Sequence, residues 1–278
     1  MGILNLTPDS FSADGLSADP ARALEAARAM EEAGADLIDI GAESTRPGAA
    51  PVSAEEEMAR LRPVLRAMGG RLRVPLSIDT MKAEVANFAL DEGVAMVNDV
   101  TGLDHDPAMG PLVAARGVPI VLMHTRGRSS DMYAEATYDD VVTEVLRHLQ
   151  RRVERAVGCG IAWDRVLIDP GIGFAKRPAH SFRVLAATSR LAALGRPILL
   201  GPSRKSFMTA VTGPLSAPDR DWPTAAAATA AVLGGAHIVR VHRVAEMVQV
   251  IRVAEAIREA ARSGPAIGSA TERPTGNH

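Results

Sequence analysis

The chain has 278 residues, 31 of them basic and 33 acidic, giving a formal charge of −2, and no run of five like charges occurs. This even mixture gives nucleic acid and membrane surfaces no electrostatic claim on it. The single cysteine, Cys159, excludes a disulfide within the chain and is expected to be structural, while the longest apolar stretch, 225–236, is mostly alanine and shorter than the roughly 20 residues of a membrane span.

In chain order, eight short β-branched or leucine-rich runs stand out: "GILNL" (2–6), "DLIDIG" (36–41), "PLSIDT" (75–80), "AMVNDV" (95–100), "PIVLMH" (119–124), "VLIDPG" (166–171), "PILLGP" (197–202) and "HIVRVH" (237–242). A helical segment follows each, the pattern of βαβ units and a parallel sheet. After the fifth run, Val141, Val145, Leu149 and Val153 recur every four residues, so one stripe is buried while Arg147, Gln150, Arg151 and Arg155 point elsewhere. Gly34, Gly93 and Gly117 stand where left-handed helix caps are wanted. Strict alternation predicts an α/β fold, a single (β/α)8 TIM barrel over residues 1–262. An open doubly wound sheet is the alternative, but its glycine fingerprint is missing from the first βα turn. Residues 263–278 are rich in Gly, Pro, Ser and Thr without periodicity and are expected to form a disordered tail. The amino terminus lacks a basic and then an apolar region, so a soluble cytoplasmic protein is expected.

Nearly every predicted strand ends in a polar residue: Asn5, Asp39, Asp79 with Thr80, Asn98 with Asp99, His124, Asp169, Ser203 to Lys205, and Arg240 with His242. Barrel active sites lie at this carboxyl end. One such residue is as readily a helix cap or loop hydrogen bond, and Asp39 and Asp99 stay open on that ground. Eight converging ends read as one site. Arg46, Lys205, Arg240 and His242 are donors suited to a multiply charged anion such as pyrophosphate. Arg204 reads equally well as a solvated rim charge. Asp79, Asn98 and Asp169 suit the N–H groups of a flat heterocycle, with salt bridging to a site lysine as the alternative for the two carboxylates.

The stretch "DPGIGFAK" (169–176) resembles a phosphate cradle only weakly. It reads better as a strand exit at which Asp169 accepts from a heterocycle and the glycines bring the backbone close, with Lys176 unassigned. Zinc spacing and a G-x-S-x-G elbow are both missing. Magnesium fits better, taking one or two protein oxygens and the rest from phosphate and water, with Asn5 as a candidate ligand.

The segments "GILNLTPDSFS", "GAESTRPGA", "SIDT", "VNDV", "LMHTRG", "DPGIGFAK", "GPSRKS" and "RVH", in this order from residue 2 to about residue 258, resemble the dihydropteroate synthase family of pterin-binding barrels. The resemblance implies condensation of 6-hydroxymethyl-7,8-dihydropterin diphosphate with p-aminobenzoate to give 7,8-dihydropteroate and pyrophosphate, with sulfonamides as analogues of the arylamine. It places Asp79, Asn98, Asp169 and Lys205 on the pterin, Mg²⁺ on Asn5, and Thr45, Arg240 and His242 on the diphosphate. Arg46, Pro47, Phe174, Lys205 and Ser206 border the p-aminobenzoate site, and a homodimer is implied. Lys205, Arg240, His242, Asp79 and Asp169 are the expected catalytic set.

The chain also departs from that family. Gly2 already lies in the first strand, so the start is expected to be internal and the barrel seam weakened. The first loop reads "SFSADG", which leaves the alignment of Asp14 open while Asp9 is secure. Arg243 stands where aspartate is common, adding positive charge beside the anion site. Ala175 replaces a usual glycine, which matters only if φ is positive there, and Ser129 replaces a proline. A non-catalytic pterin-binding paralogue and a methyltetrahydrofolate-dependent corrinoid methyltransferase are the competing functions.

Overall fold

The computed structural model describes residues 1–6, 19–44, 48–127, 134 and 136–263. Each predicted run contains a strand: β1 (Gly2–Asn5), β2 (Ile38–Gly41), β3 (Leu76–Asp79), β4 (Met96–Asp99), β5 (Ile120–Met123), β6 (Val166–Asp169), β7 (Leu199–Leu200) and β8 (Ile238–Val239). Between and after them come α1 (Pro20–Glu32), α2 (Ala54–Met68), α3 (Ala83–Asp91), α4 (Met109–Arg116), α5 (Val141–Gly158), α6 (Pro178–Ala186), α7 (Asp221–Leu233) and α8 (Val244–Ser263). The chain is a TIM barrel. Strands β1 to β6 form a continuous parallel ladder, and β7 pairs with β8. Isolated parallel bridges, Ile168 with Ile198 and Gly2 with Val241, join the two sheets on either side. Pro197 and Pro202 bracket β7; lacking N–H groups, they keep that strand to two ladder residues.

Three helices begin at a side chain that satisfies first-turn N–H groups. Asp19 caps α1 through the amides of Ala21 and Arg22, Ser53 caps α2, and Asp140 caps α5. Gly34, Gly93 and Gly117 all adopt positive φ as expected. The apolar stripe of α5 is buried, but Arg152 is buried with it at 7% exposure. Periodicity alone does not show this: Arg152 reaches through the helix layer to the carbonyl oxygens of Met123 and Thr125 at the end of β5 and to Asp104.

The pleat then positions the site. Side chains two residues apart share a face of a strand. Met96, Val121, Leu167 and Leu199, with Leu37 and Ile238 packed against them, form a small apolar cluster separate from the main core. Moving two residues onward from Leu37, Met96, Leu167 and Ile238 reaches Asp39, Asn98, Asp169 and Arg240. The apolar floor of the barrel therefore carries a polar layer directly above it, at the carboxyl ends of the strands.

Candidate active site

Arg240 links that layer. Its Nε donates to Asp39 Oδ2 at 2.6 Å and its Nη2 to Asp79 Oδ2 at 2.8 Å, while Asn98 Nδ2 donates to the same Asp39 oxygen at 3.0 Å. The result is a buried chain, Asn98–Asp39–Arg240–Asp79. Asp79 pairs with the arginine rather than with a lysine. Asp39, open as a cap or a site residue from sequence, orients both Asn98 and Arg240. Asp99 goes the other way: it accepts from the amides of Thr101 and Leu103 and from the Thr101 hydroxyl, so it shapes a loop. The two aspartates differ because Asp39 lies on the inward face of its strand and Asp99, next to the inward Asn98, on the outward face.

Across the mouth, the exit of β6 is held by bonds to backbone. Asp169 Oδ1 accepts from the Gly171 amide at 2.7 Å. Lys205 Nζ donates to the Ile172 carbonyl at 2.5 Å and lies 4.2 Å from the centre of the Phe174 ring. The glycines serve close packing here: Gly171 (φ 64°) and Gly173 (φ 79°) lie where a Cβ would strike the His124 carbonyl oxygen and the Lys205 side chain, respectively. Ala175 also has positive φ, 46°, so the replacement of glycine there is a strained one. Its carbonyl accepts from the Tyr138 hydroxyl at 2.9 Å.

On the third side, Ser203 Oγ accepts from the His242 amide at 3.1 Å and sits 2.8 Å from His242 Nδ1, which fixes the ring. Asn5 ends β1 in register with Gly41, and a Cβ on Gly41 would meet Asp79 Cβ at 3.4 Å and Asn5 Oδ1 at 3.7 Å, so the Asn5 amide shares the mouth with Asp79. Ser206 is exposed at its edge. Arg204 is not a solvated rim charge: both Nε and Nη2 bind the Asp221 carboxylate, at 2.8 and 2.9 Å, and its φ is 57°. The charge of Arg243 is taken up by Glu246. Thr45, Arg46, Pro47, Asp9, Asp14 and Ser129, together with tail residues 264–278, lie outside the described residues.

Burial sets the electrostatics. It raises the Asp79 carboxyl to about 7, Arg240 opposing the rise and Asp39 adding to it. Asp169 is also raised, mainly by burial, with Lys205 pulling it back. Lys205 is lowered to about 8 by burial, against the attraction of Asp169. Among the described residues, Asp79 Oδ1 is a buried acceptor with no hydrogen-bond partner. A buried carboxylate with an unsatisfied oxygen is costly to keep in a fold; an N–H-bearing ligand would satisfy it.

Lys176, which sequence reading leaves without a role, is 1% exposed. Its Nζ lies 2.8 Å from His124 Nδ1, 2.9 Å from the Gly171 carbonyl and 3.0 Å from the Phe174 carbonyl. Burial pushes both Lys176 and His124 well below their usual values. The two carbonyls belong to a turn with positive φ at Gly171, Gly173 and Ala175, and His124 lies at the end of β5, so sequence spacing does not announce that they converge on the lysine.

Comparison with known proteins agrees with this geometry. Residues 1–242 match the family model described as pterin binding enzyme. Dihydropteroate synthase of Synechocystis is 42% identical over 257 residues, 92% of this chain and 89% of that protein. The Yersinia pestis dihydropteroate synthase, solved with a sulfonamide drug complex, superposes with a TM-score of 0.89 at 43% identity, covering 94% of each chain. The Xanthomonas albilineans enzyme solved with 4-aminobenzoic acid gives 0.87 at 43% identity, covering 94% of this chain and 93% of that one.

Proposed function

The chain belongs to the pterin-binding enzymes, and from that premise we propose that it is a transferase of folate biosynthesis, condensing 6-hydroxymethyl-7,8-dihydropterin diphosphate with p-aminobenzoate to release 7,8-dihydropteroate and pyrophosphate. The observation that carries this reading is the inward polar layer, where Asp79 bonds Arg240 through Oδ2 and keeps Oδ1 buried and unpaired, beside Asn98 on the next strand and in one layer with Asp169. Such a layer suits a flat heterocycle edged with N–H donors. Lys205 and Phe174 stand beside it on the side assigned to the arylamine.

In the reaction the exocyclic C–O bond breaks, its electron pair leaves with the diphosphate, and the arylamine nitrogen bonds to the carbon and loses a proton. Asp79 and Asp169, when ionised, stabilise the cationic pterin left as the bond breaks. The arylamine then meets a strong electrophile, so little help from a base is needed. We assign the diphosphate to Thr45 and His242. Arg240 faces that side as well, with its Nε and Nη2 already on carboxylates, which gives it a second task of orienting Asp79.

A divalent cation fits the donor set in one way only. Among the described residues no group of three or more His, Cys, Asp or Glu side chains could hold a metal ion, whereas magnesium is content with one or two protein oxygens and otherwise takes phosphate and water. Asn5 Oδ1 would supply the protein oxygen, and the bound ion would offset charge developing on the diphosphate.

We propose a homodimer and a cytoplasmic location. The first is supported by large apolar side chains left in solvent, Trp222 at 85% and Val253 at 61% exposure, and by an apolar groove of about 330 Å³ between α7 and α8. The second is supported by the lone Cys159; among the described residues no helix is long and apolar enough to cross a membrane. The functional test is to incubate the purified protein with the dihydropterin diphosphate, p-aminobenzoate and Mg²⁺ and to measure pyrophosphate and dihydropteroate. Product is expected, and it should vanish in Lys205→Ala. A wild-type signal no higher than that variant's blank would overturn the enzyme reading.

A further inference from the structure

The turn from Gly171 to Ala175 is held by side chains from several elements. Its Ile172 carbonyl takes Lys205 from the mouth, its Gly171 and Phe174 carbonyls take Lys176 from beneath, and its Ala175 carbonyl takes Tyr138. Its Gly173 amide donates to Ser181 Oγ at 3.1 Å. The two lysines are not equivalent. Lys205 is half-buried at the opening, whereas Lys176 is sealed under the turn at 1% exposure with His124 Nδ1 as its third partner.

Lys205 spends one N–H on Ile172 and, when charged, has two more to turn toward substrate at the mouth. The bonds from Lys176 would remain. They need only two N–H groups, so they persist whether the amine is neutral, accepting from His124 Nδ1, or charged and donating to it. Those bonds fix two functional atoms indirectly. Gly171, held by its carbonyl, also carries the N–H that orients Asp169, and Phe174, held the same way, carries the ring beside Lys205.

We propose that Lys176 is a positioning residue of this reaction: from beneath the mouth it holds the Gly171–Phe174 turn, and so keeps Phe174 and Asp169 in place while Lys205 engages substrate. The inference rests on the function proposed above. It makes a buried lysine, outside the substrate contacts, a determinant of arylamine affinity.

The test is steady-state kinetics of Lys176→Met, which keeps the length of the side chain and removes its donors. The KM for p-aminobenzoate should rise about tenfold, with kcat per folded site changed less than about threefold, since a slightly misplaced wall weakens binding before it stops chemistry. A merely structural lysine would lower the melting temperature and the active fraction and leave KM where it was. Should Lys176→Met fail to fold, Tyr138→Phe removes one bond from the same turn and should raise that KM by about two- to threefold. Unchanged KM for p-aminobenzoate in the variants that fold, with an active wild type, would overturn the role of Lys176 alone. An inactive wild type would instead remove the proposed function.

Discussion

Two sides of one barrel mouth solve the problem of buried polar groups differently. On the β3–β8 side, charges balance charges: Arg240 joins Asp39 and Asp79 across chain separations of 201 and 161 residues. On the β6 side, cations and acids are held by peptide groups of a single turn, with Asp169 on the Gly171 amide and Lys205 on the Ile172 carbonyl. The first arrangement is stiff because removing any member leaves an uncompensated charge. The second is stiff because Lys205, Lys176, Tyr138 and Ser181 bond the turn's peptide groups, while its glycines admit the close approach of His124 and Lys205.

The difference can be broken most sharply at Asp39. It is fully buried and serves both Arg240 and Asn98, so Asp39→Ala should cost roughly 3 kcal/mol or more, the penalty for breaking a buried pair. Thermal denaturation should then show a melting temperature lower by about 6 °C or more for a domain of this size. Arg204→Ala removes a partly exposed pair with Asp221 and should cost about 1 kcal/mol or less. Similar losses in the two variants would contradict the account of the charge-paired side.

The pH dependence of pterin binding sharpens the same comparison. Asp79 lies at about 7 and Lys205 at about 8, so both are charged together only in a narrow window between them. Affinity measured by calorimetry should fall below about pH 7 and again above about pH 8, and Asp79→Asn should abolish the acid limb only. Stability of the free protein runs as follows from linkage. The folded state holds the Asp79 proton between 3.8 and about 7 while the unfolded chain has lost it, so this carboxyl's contribution declines with rising pH across that range. Lys205 is the reverse: the unfolded chain keeps its proton from about 8 to 10.5, and stability rises over that range. A flat binding profile from pH 6 to 9 would exclude these two groups as the pterin contacts.

The smallest effect is expected at Ala175. Relief of left-handed strain by Ala175→Gly, about 1–2 kcal/mol, is offset by the lost methyl burial of about 0.8 kcal/mol and by the greater backbone freedom of glycine, about 0.5–1 kcal/mol. Its melting temperature should stay close to that of the wild type. Ala228→Gly, at a buried position in α7, has no strain to relieve and should lose roughly 1.5 kcal/mol. Equal losses in the two variants would show that the turn stores no strain.

How far the sequence was legible follows the same division. Strand positions and the polar layer could be read from the eight runs and their ends, because the pleat repeats every two residues. The same parity separates Asp39 from Asp99, a distinction that treating strand ends as points misses. The partners of Arg240 were out of reach, since the strands that supply them meet only when the barrel forms. Lys176 was out of reach for another reason: glycines at 171 and 173 mark the turn, but its left-handed Ala175 and the folding of its carbonyls and of His124 onto the lysine follow from no residue type. Arg46 and its neighbours at 45–47, prominent in the sequence, lie outside the described residues and keep the roles that resemblance gives them.

The central claim is that the inward polar layer holds the pterin. Calorimetric titration of a dihydropterin ligand into the wild type, Asp169→Asn and Arg204→Ala tests it most directly, since the first variant turns a buried acceptor partly into a donor and the second disturbs only the rim pair with Asp221. Affinity should fall by about tenfold or more in Asp169→Asn and stay within about twofold of the wild type in Arg204→Ala. Equal affinity for the pterin in Asp169→Asn and the wild type would contradict the claim.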